Sequence, residues 1–190
     1  NLPVIGGNVS LYNESQGHNI DPTPIVGVIG TIDNLDSPPP GMNWEESDRL
    51  IVVGPEAEGL SGSAWAFTKN HRRGALKEVD YNLHKKICSA LRELVRNKMV
   101  TALHDISVGG IGVTLAEMAI SSDIGCSLAR IADHRALFSE TSSRVVLAVN
   151  PEKISEVEAL LSRSEIPSSR IGLATGERFT IKGLLDIGVD

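Results

Sequence analysis

Three consecutive prolines, Pro38, Pro39 and Pro40, followed by Gly41, stop any regular element that reaches them. Proline has no N–H to give to a ladder or a helix, and its ring pushes the preceding residue out of the helical region. No helix or strand therefore crosses this stretch, and the chain reads as two parts, residues 1–40 and 41–190. In the first part, residues 24–32 (PIVGVIGTI) are β-branched and punctuated by glycine, which predicts a buried strand with close backbone approach.

Beyond the prolines the pattern alternates between strand and helix. Residues 49–54 predict a strand, and residues 61–68 a short helix opened by a serine cap. Asp80 is placed to cap a helix reaching about Asn97, in which Leu83, Ile87, Leu91 and Leu94 share one face and Lys85, Lys86, Arg92, Glu93 and Arg96 the other. Residues 100–103 predict a short strand that delivers His104 and Asp105 to its end, after which Gly109-Gly110-Ile111-Gly112 opens a second helix through Leu115, Met118 and Ala119. Strands are expected at 126–131 and 144–149. Pro151 suits the first position of a helix carrying Ile154, Val157, Leu160 and Leu161. Segments 170–173 and 178–181 read as a terminal pair of strands. The order implies an α/β (α+β) sandwich with a mixed or antiparallel sheet and flanking helices.

Charge and composition exclude several functions. Eighteen Lys and Arg against 24 Asp and Glu leave a formal net charge of −6. With no basic run, binding to nucleic acid is not expected. The longest apolar stretches, 24–32 and 50–53, fall far short of the roughly 20 residues that span a bilayer. Cys88 and Cys126 lack metal-ligand spacing and read as small residues of a reducing, cytoplasmic setting. The chain starts at Asn1 with no leader pattern, so it is expected to be a piece of a longer polypeptide.

Three loops carry chemistry. Gly6-Gly7-Asn8-Val9-Ser10 and Asn13-Glu14 combine a glycine backbone able to approach a phosphate with hard oxygen donors that suit Mg²⁺, although a glycine turn feeding a capped helix explains the same pattern. His104-Asp105-Ile106-Ser107-Val108-Gly109-Gly110 lies at a strand-to-helix junction, where free N–H groups and the helix dipole attract anions. His104 and Asp105 are expected on opposite faces of the strand, which argues against a base and its orienting partner. Ser139-Glu140-Thr141-Ser142-Ser143-Arg144 offers an arginine fork and hydroxyls to a phosphate, or else a turn closed by a surface Glu140–Arg144 ion pair. The other histidines, His18, His71, His84 and His134, stand in polar contexts and read as solvated.

The segments GGNVSLYNE, PTPIVGVIGTID, ALHDISVGGIGVTLAEMAI and LFSETSSRVV, in this order and spacing, resemble the C-terminal part of the synthetase subunit of phosphoribosylformylglycinamidine synthases, members of the aminoimidazole ribonucleotide synthetase-like superfamily. The resemblance extends over nearly the whole chain. It implies that residues 1–40 end a second nucleotide-binding-type domain and that 41–190 are the second C-terminal α/β domain. It further implies an ATP- and Mg²⁺-dependent ligase of purine biosynthesis, which converts formylglycinamide ribonucleotide and glutamine-derived ammonia to formylglycinamidine ribonucleotide.

By motif match Gly7 would contact the nucleotide, Asn8 would bind Mg²⁺ and Ser10 would touch the substrate. The family's catalytic histidines and most of its metal carboxylates would lie elsewhere, so the chain alone is expected to be inactive. His104, Asp105, Ser139, Glu140 and Arg144 match the duplicated domain, whose counterparts help hold substrate in the first copy. Val108 stands where an acidic residue is common, which weakens the case for a charged site in that loop. The GNVSLYN form, and the end of the chain soon after residue 181, imply a free-standing subunit working with a separate glutaminase and a small bridging subunit. Another ATP-using member of the superfamily, or a non-catalytic docking domain, are the competing readings.

Overall fold

The computed structural model describes residues 2–9, 13–20, 23–32 and 38–189. The chain forms two units, Asn1–Asp36 and Ser37–Asp190. In the second, strand β3 (Arg49–Val53) begins an alternation that continues with α1 (Ala64–Thr68), α2 (Tyr81–Arg96), β4 (Ala102–Asp105), α3 (Gly110–Ser122), β5 (Cys126–Leu128), α4 (His134–Phe138) and β6 (Val145–Val149). A 3₁₀ turn (Pro151–Lys153), α5 (Ile154–Arg163), β7 (Ser168–Ala174), β8 (Arg178–Ile181) and β9 (Leu185–Gly188) complete it. The first unit contributes a small hairpin, β1 (Glu14–Ser15) and β2 (His18–Asn19), turned by Gln16 and Gly17, both at positive φ.

One seven-stranded sheet, in the order β4-β6-β3-β7-β5-β8-β9, organises the larger unit. All neighbours pair antiparallel except β5 and β8, which run parallel. The central strands are apolar at nearly every position because both faces are covered. Leu50, Val52, Val146 and Ala148 face a core with Ile111, Leu115, Met118 and Ala119 of α3 and Leu137 of α4. Ile51, Val53, Val145, Leu147 and Val149 face Ile87, Ala90 and Leu94 of α2 and Val157, Leu160 and Leu161 of α5. Period-two alternation in the strands thus meets helical stripes on both sides and produces three layers.

The helices start where the sequence supplies acceptors. Asp80 accepts from the amides of Asn82 (2.9 Å) and Leu83 (3.0 Å). Ser63 accepts from Ala66 (3.2 Å), and Asn150 from Glu152 (2.9 Å). Asp133 caps α4 through the amides of Arg135 and Ala136, and the Ala136 N–H holds its carboxyl below the usual carboxylate range. Burial pushes the Cys126 thiol up to about 12, so this cysteine is a small core residue.

Several expectations are corrected. Residues 24–32 form no ladder and stay exposed, with Ile25 at 96 % and Val4 at 91 %. Thirty-six residues are too few to close a core around them, since domains below about 40 residues rarely do so unaided. Residues 170–173 and 178–181 are not partners: β5 lies between β7 and β8. The expected strand at 100–103 is shifted to Ala102–Asp105, which places His104 and Asp105 within it. The strand expected at 126–131 ends at Leu128. Strand β9 and helix α4 carry no strong periodic signal in the sequence.

The seam around β5 is tight. A Cβ on Gly172 of β7 would meet the Ser127 carbonyl oxygen at 2.0 Å, and one on Gly125 would meet the Arg178 carbonyl oxygen at 2.2 Å. Close backbone approach fixes both as glycine.

Asp48 is 1 % exposed, accepting from the Glu45 amide (3.0 Å) and the Thr101 hydroxyl (3.3 Å), and burial holds its carboxyl above the usual range. Across the interval between its unfolded and folded pKa the native state binds the extra proton, so stability declines as pH rises through it and the cost is complete above it. Asp48→Asn is therefore expected to be more stable than the parent at pH 7, with the advantage vanishing below the ordinary carboxylate pKa, read by urea unfolding at both pH values. In the same assay Leu115→Ala, at a site with no exposure, should lose about 3 kcal/mol. Ile120→Ala, on the open face of the same helix, should stay within about 0.5 kcal/mol.

Candidate functional site

Two of the loops singled out in the sequence meet above one end of the sheet. The Glu140 Oε1 accepts from the amide of Gly109, which caps α3, and from that of Ala64, the first residue of α1, both at 2.8 Å. One carboxylate thus joins three segments far apart in sequence, supplied by the need of N-terminal amides for an acceptor. Around it, Ser139 is fully buried with its hydroxyl 2.9 Å from that of Thr141. Thr141 Oγ1 in turn accepts from the Glu58 amide at 2.8 Å. Trp65 of α1 stacks on Phe138 of α4, 4.6 Å between centroids and 11° between planes.

The glycines of this loop have packing tasks. Gly109 and Gly110 take φ of 85° and 65°, and a Cβ on Gly110 would strike the Leu137 carbonyl oxygen at 2.7 Å. They bring α3 against α4, and the Gly109 N–H expected for an anion is already held by Glu140. Beside this cluster runs a cleft of about 580 Å³ bordered by Glu58, Gly62, Leu76, Asp80, Glu140 and Ser143.

Arg144 departs from both readings of its loop. It forms no ion pair with Glu140: the residue is 7 % exposed, and its Nε and Nη1 are buried without any hydrogen-bond partner. Burial holds its guanidinium below the usual arginine range. Along the strand that follows, Val145, Leu147 and Val149 face α2 and α5, while Val146 and Ala148 face α3. Alternation therefore directs Arg144 to the α3 side. Its carbonyl accepts from the Ile106 amide at 2.9 Å, which ties it to the base of the same loop.

His104 and Asp105 are not separated as strand alternation predicts. At the end of β4 the chain turns away, leaving His104 Nδ1 2.9 Å from the Asp105 carbonyl oxygen and 3.3 Å from its carboxylate. Nε2 lies 3.3 Å from Glu117 of α3. Both ring nitrogens are thus occupied in tying an edge strand to a helix. His84 is likewise engaged, with Nδ1 2.9 Å from the Ser143 hydroxyl.

In the first unit Gly7 and Asn8 are exposed. Neither Gly6 nor Gly7 adopts the left-handed region, and no atom lies within 4 Å of a Cβ built on either, so the tight turn expected there is not formed. Ser10 lies outside the described residues. Among the described residues no group of three His, Cys, Asp or Glu could hold a metal ion, and no helix is long and apolar enough to cross a membrane.

Residues 45–183 match the family of the AIR synthase related protein, C-terminal domain. The chain belongs to this family. It is 36 % identical over 187 residues to the phosphoribosylformylglycinamidine synthase subunit PurL of Methylocella silvestris, covering 96 % of this chain and 25 % of that protein. It is 32 % identical to the same subunit of Bartonella quintana, over 100 % of this chain and 26 % of that one. The chain therefore spans about a quarter of the length of the curated relatives it matches.

Its fold is that of phosphoribosylformylglycinamidine synthase II from Thermotoga maritima, with TM-score 0.67 at 15 % identity over 81 % of this chain and 27 % of the other. The Thermotoga protein has also been solved complexed with ATP, complexed with FGAR, and as PurLQS, with TM-scores of 0.65, 0.66 and 0.65. These three are likewise 15 % identical, cover 79–81 % of this chain, and are covered over 26–28 % of their own length. The α+β architecture with a mixed sheet and flanking helices is that of this family.

Replacing Glu140 by Ala leaves two N-terminal amides without an acceptor. We expect a loss of about 1–3 kcal/mol in chemical denaturation, and a smaller one for Glu140→Gln, which keeps a carbonyl oxygen in place.

Proposed function

We propose that this chain is part of an ATP-dependent ligase of purine biosynthesis that forms formylglycinamidine ribonucleotide from formylglycinamide ribonucleotide and ammonia. The observation that carries this reading is the 32 % identity that runs through the whole chain, including the segment from Gly7 to Ser10, to a subunit named for that synthase. The complexes of the Thermotoga protein with ATP and FGAR support the ligand classes. In this reading residues 1–40 end a nucleotide-binding-type domain and residues 41–190 form the second C-terminal domain. A separate glutaminase delivers ammonia and a small bridging subunit helps to dock it, in keeping with a solved PurLQS assembly. Two free thiols suit the cytoplasm, where such a pathway draws on soluble nucleotides.

The residues fit this chemistry as part of a shared pocket. The Gly7 amide meets the nucleotide phosphates, because a glycine backbone lets an anion approach closely. Asn8 offers a hard amide oxygen from an exposed position and would be one ligand of Mg²⁺, the remaining ligands coming from outside this chain. When bound, Mg²⁺ neutralises charge on the phosphoryl oxygens of ATP. The Ser10 hydroxyl orients the substrate amide for in-line transfer. His104 and Asp105 serve as ties within the second domain.

Asn8→Ala and Ser10→Ala in the longer protein should each lower ammonia-dependent turnover by about a hundredfold or more. Unchanged turnover would overturn the catalytic assignment and leave a docking domain. Calorimetry of the 190-residue chain with Mg-ATP should show weak binding or none, since most of the pocket is elsewhere, and sub-micromolar affinity would contradict that.

A further inference from the structure

A buried arginine without a partner is costly. Removing a guanidinium from water forfeits several kcal/mol of hydration that only an anion or a full set of acceptors restores. Arg144 is 7 % exposed with Nε and Nη1 unpaired, on the α3 side of the sheet and bonded through its carbonyl to the loop that leads into α3. Four residues upstream, Glu140 commits one carboxylate oxygen to the amides of Gly109 and Ala64. The chain thus holds an internal anion on two N–H donors, and close to it in sequence a cation that this anion does not neutralise. A single dianion meeting both the amides and the guanidinium would satisfy every one of these groups, which the monoanionic Glu140 does not.

We propose that the Gly109–Ala64–Arg144 cluster is a binding site for a phosphoryl group, with Glu140 as a resident carboxylate that the incoming phosphate displaces. The displaced carboxylate has somewhere to go: Glu140 borders the cleft of about 580 Å³, which opens between residues 58–62, 75–80 and 140–143. Phosphate suits the cluster because its oxygens accept from several amides at once and match the planar fork of arginine. The inference is independent of the Gly7–Asn8–Ser10 assignment and survives its failure.

The test uses thermal unfolding and titration calorimetry of the full 190-residue chain in phosphate and in chloride of equal ionic strength, with ADP as a second arm. Phosphate should raise the unfolding temperature of the parent where chloride does not. Arg144→Met, which keeps volume and removes the unpaired charge, should unfold at a higher temperature than the parent without phosphate and lose the phosphate response. Glu140→Gln should bind phosphate at least about tenfold more tightly, because no carboxylate competes for the amides. A lower ADP midpoint than that of phosphate would identify a nucleotide as the source of the phosphoryl group, and equal midpoints the phosphoryl group alone; either supports the site. No phosphate response in the parent, or an Arg144→Met chain less stable than the parent in chloride, would overturn it. If Arg144→Met does not fold, an unchanged phosphate affinity in Glu140→Gln overturns the displacement on its own.

Discussion

The sheet must be covered on both faces, and most of the larger unit follows from that. β3 and β6 offer almost no polar position, so neither face tolerates water, and each needs helices long enough to span several strands. α2 and α5 serve one side and α3 with α4 the other. The amphipathic α2 exposes a charged face, whereas α3 is apolar almost throughout and packs through small residues. The difference places the chemistry: the loops that enter and flank α3, not those of α2, are drawn tightly together.

That convergence has an electrostatic cost and an electrostatic remedy. Drawing the starts of α1 and α3 together gathers N–H groups that need an acceptor, and Glu140 meets the need with one oxygen. The same convergence leaves Arg144 under the loops with no acceptor for its Nε and Nη1. A positive surplus of this kind, in a protein whose total charge is negative, belongs to a particular place and not to composition.

Much of this architecture was legible in the chain. Caps at Ser63 and Asp80, the Leu83–Ile87–Leu91–Leu94 stripe and Pro151 all announce their helices locally, and the strands from residue 49 onward follow from β-branched runs. The early end of β5, the five-residue α4 and the exposed β9 were not, because short elements owe their state to neighbours and not to their own periodicity. The same logic explains residues 24–32: the sequence has the composition of a buried strand, and burial needs partners that a 36-residue unit does not contain. In the loops, sequence singled out Glu140 and Arg144 but joined them to each other. Their real environments depend on Ala64 and Gly109, 76 and 31 residues from Glu140, which no local pattern reveals.

β5 is only three residues long, yet it joins the antiparallel body of the sheet to β8 and β9. With glycine required on either flank, this joint has almost no latitude: a methyl group there would wedge backbones apart. The last strands are thus moored to the rest of the sheet by a handful of main-chain bonds, and the C-terminal hairpin is the part of the sheet able to detach while the two cores on either side of β3 and β6 stay whole.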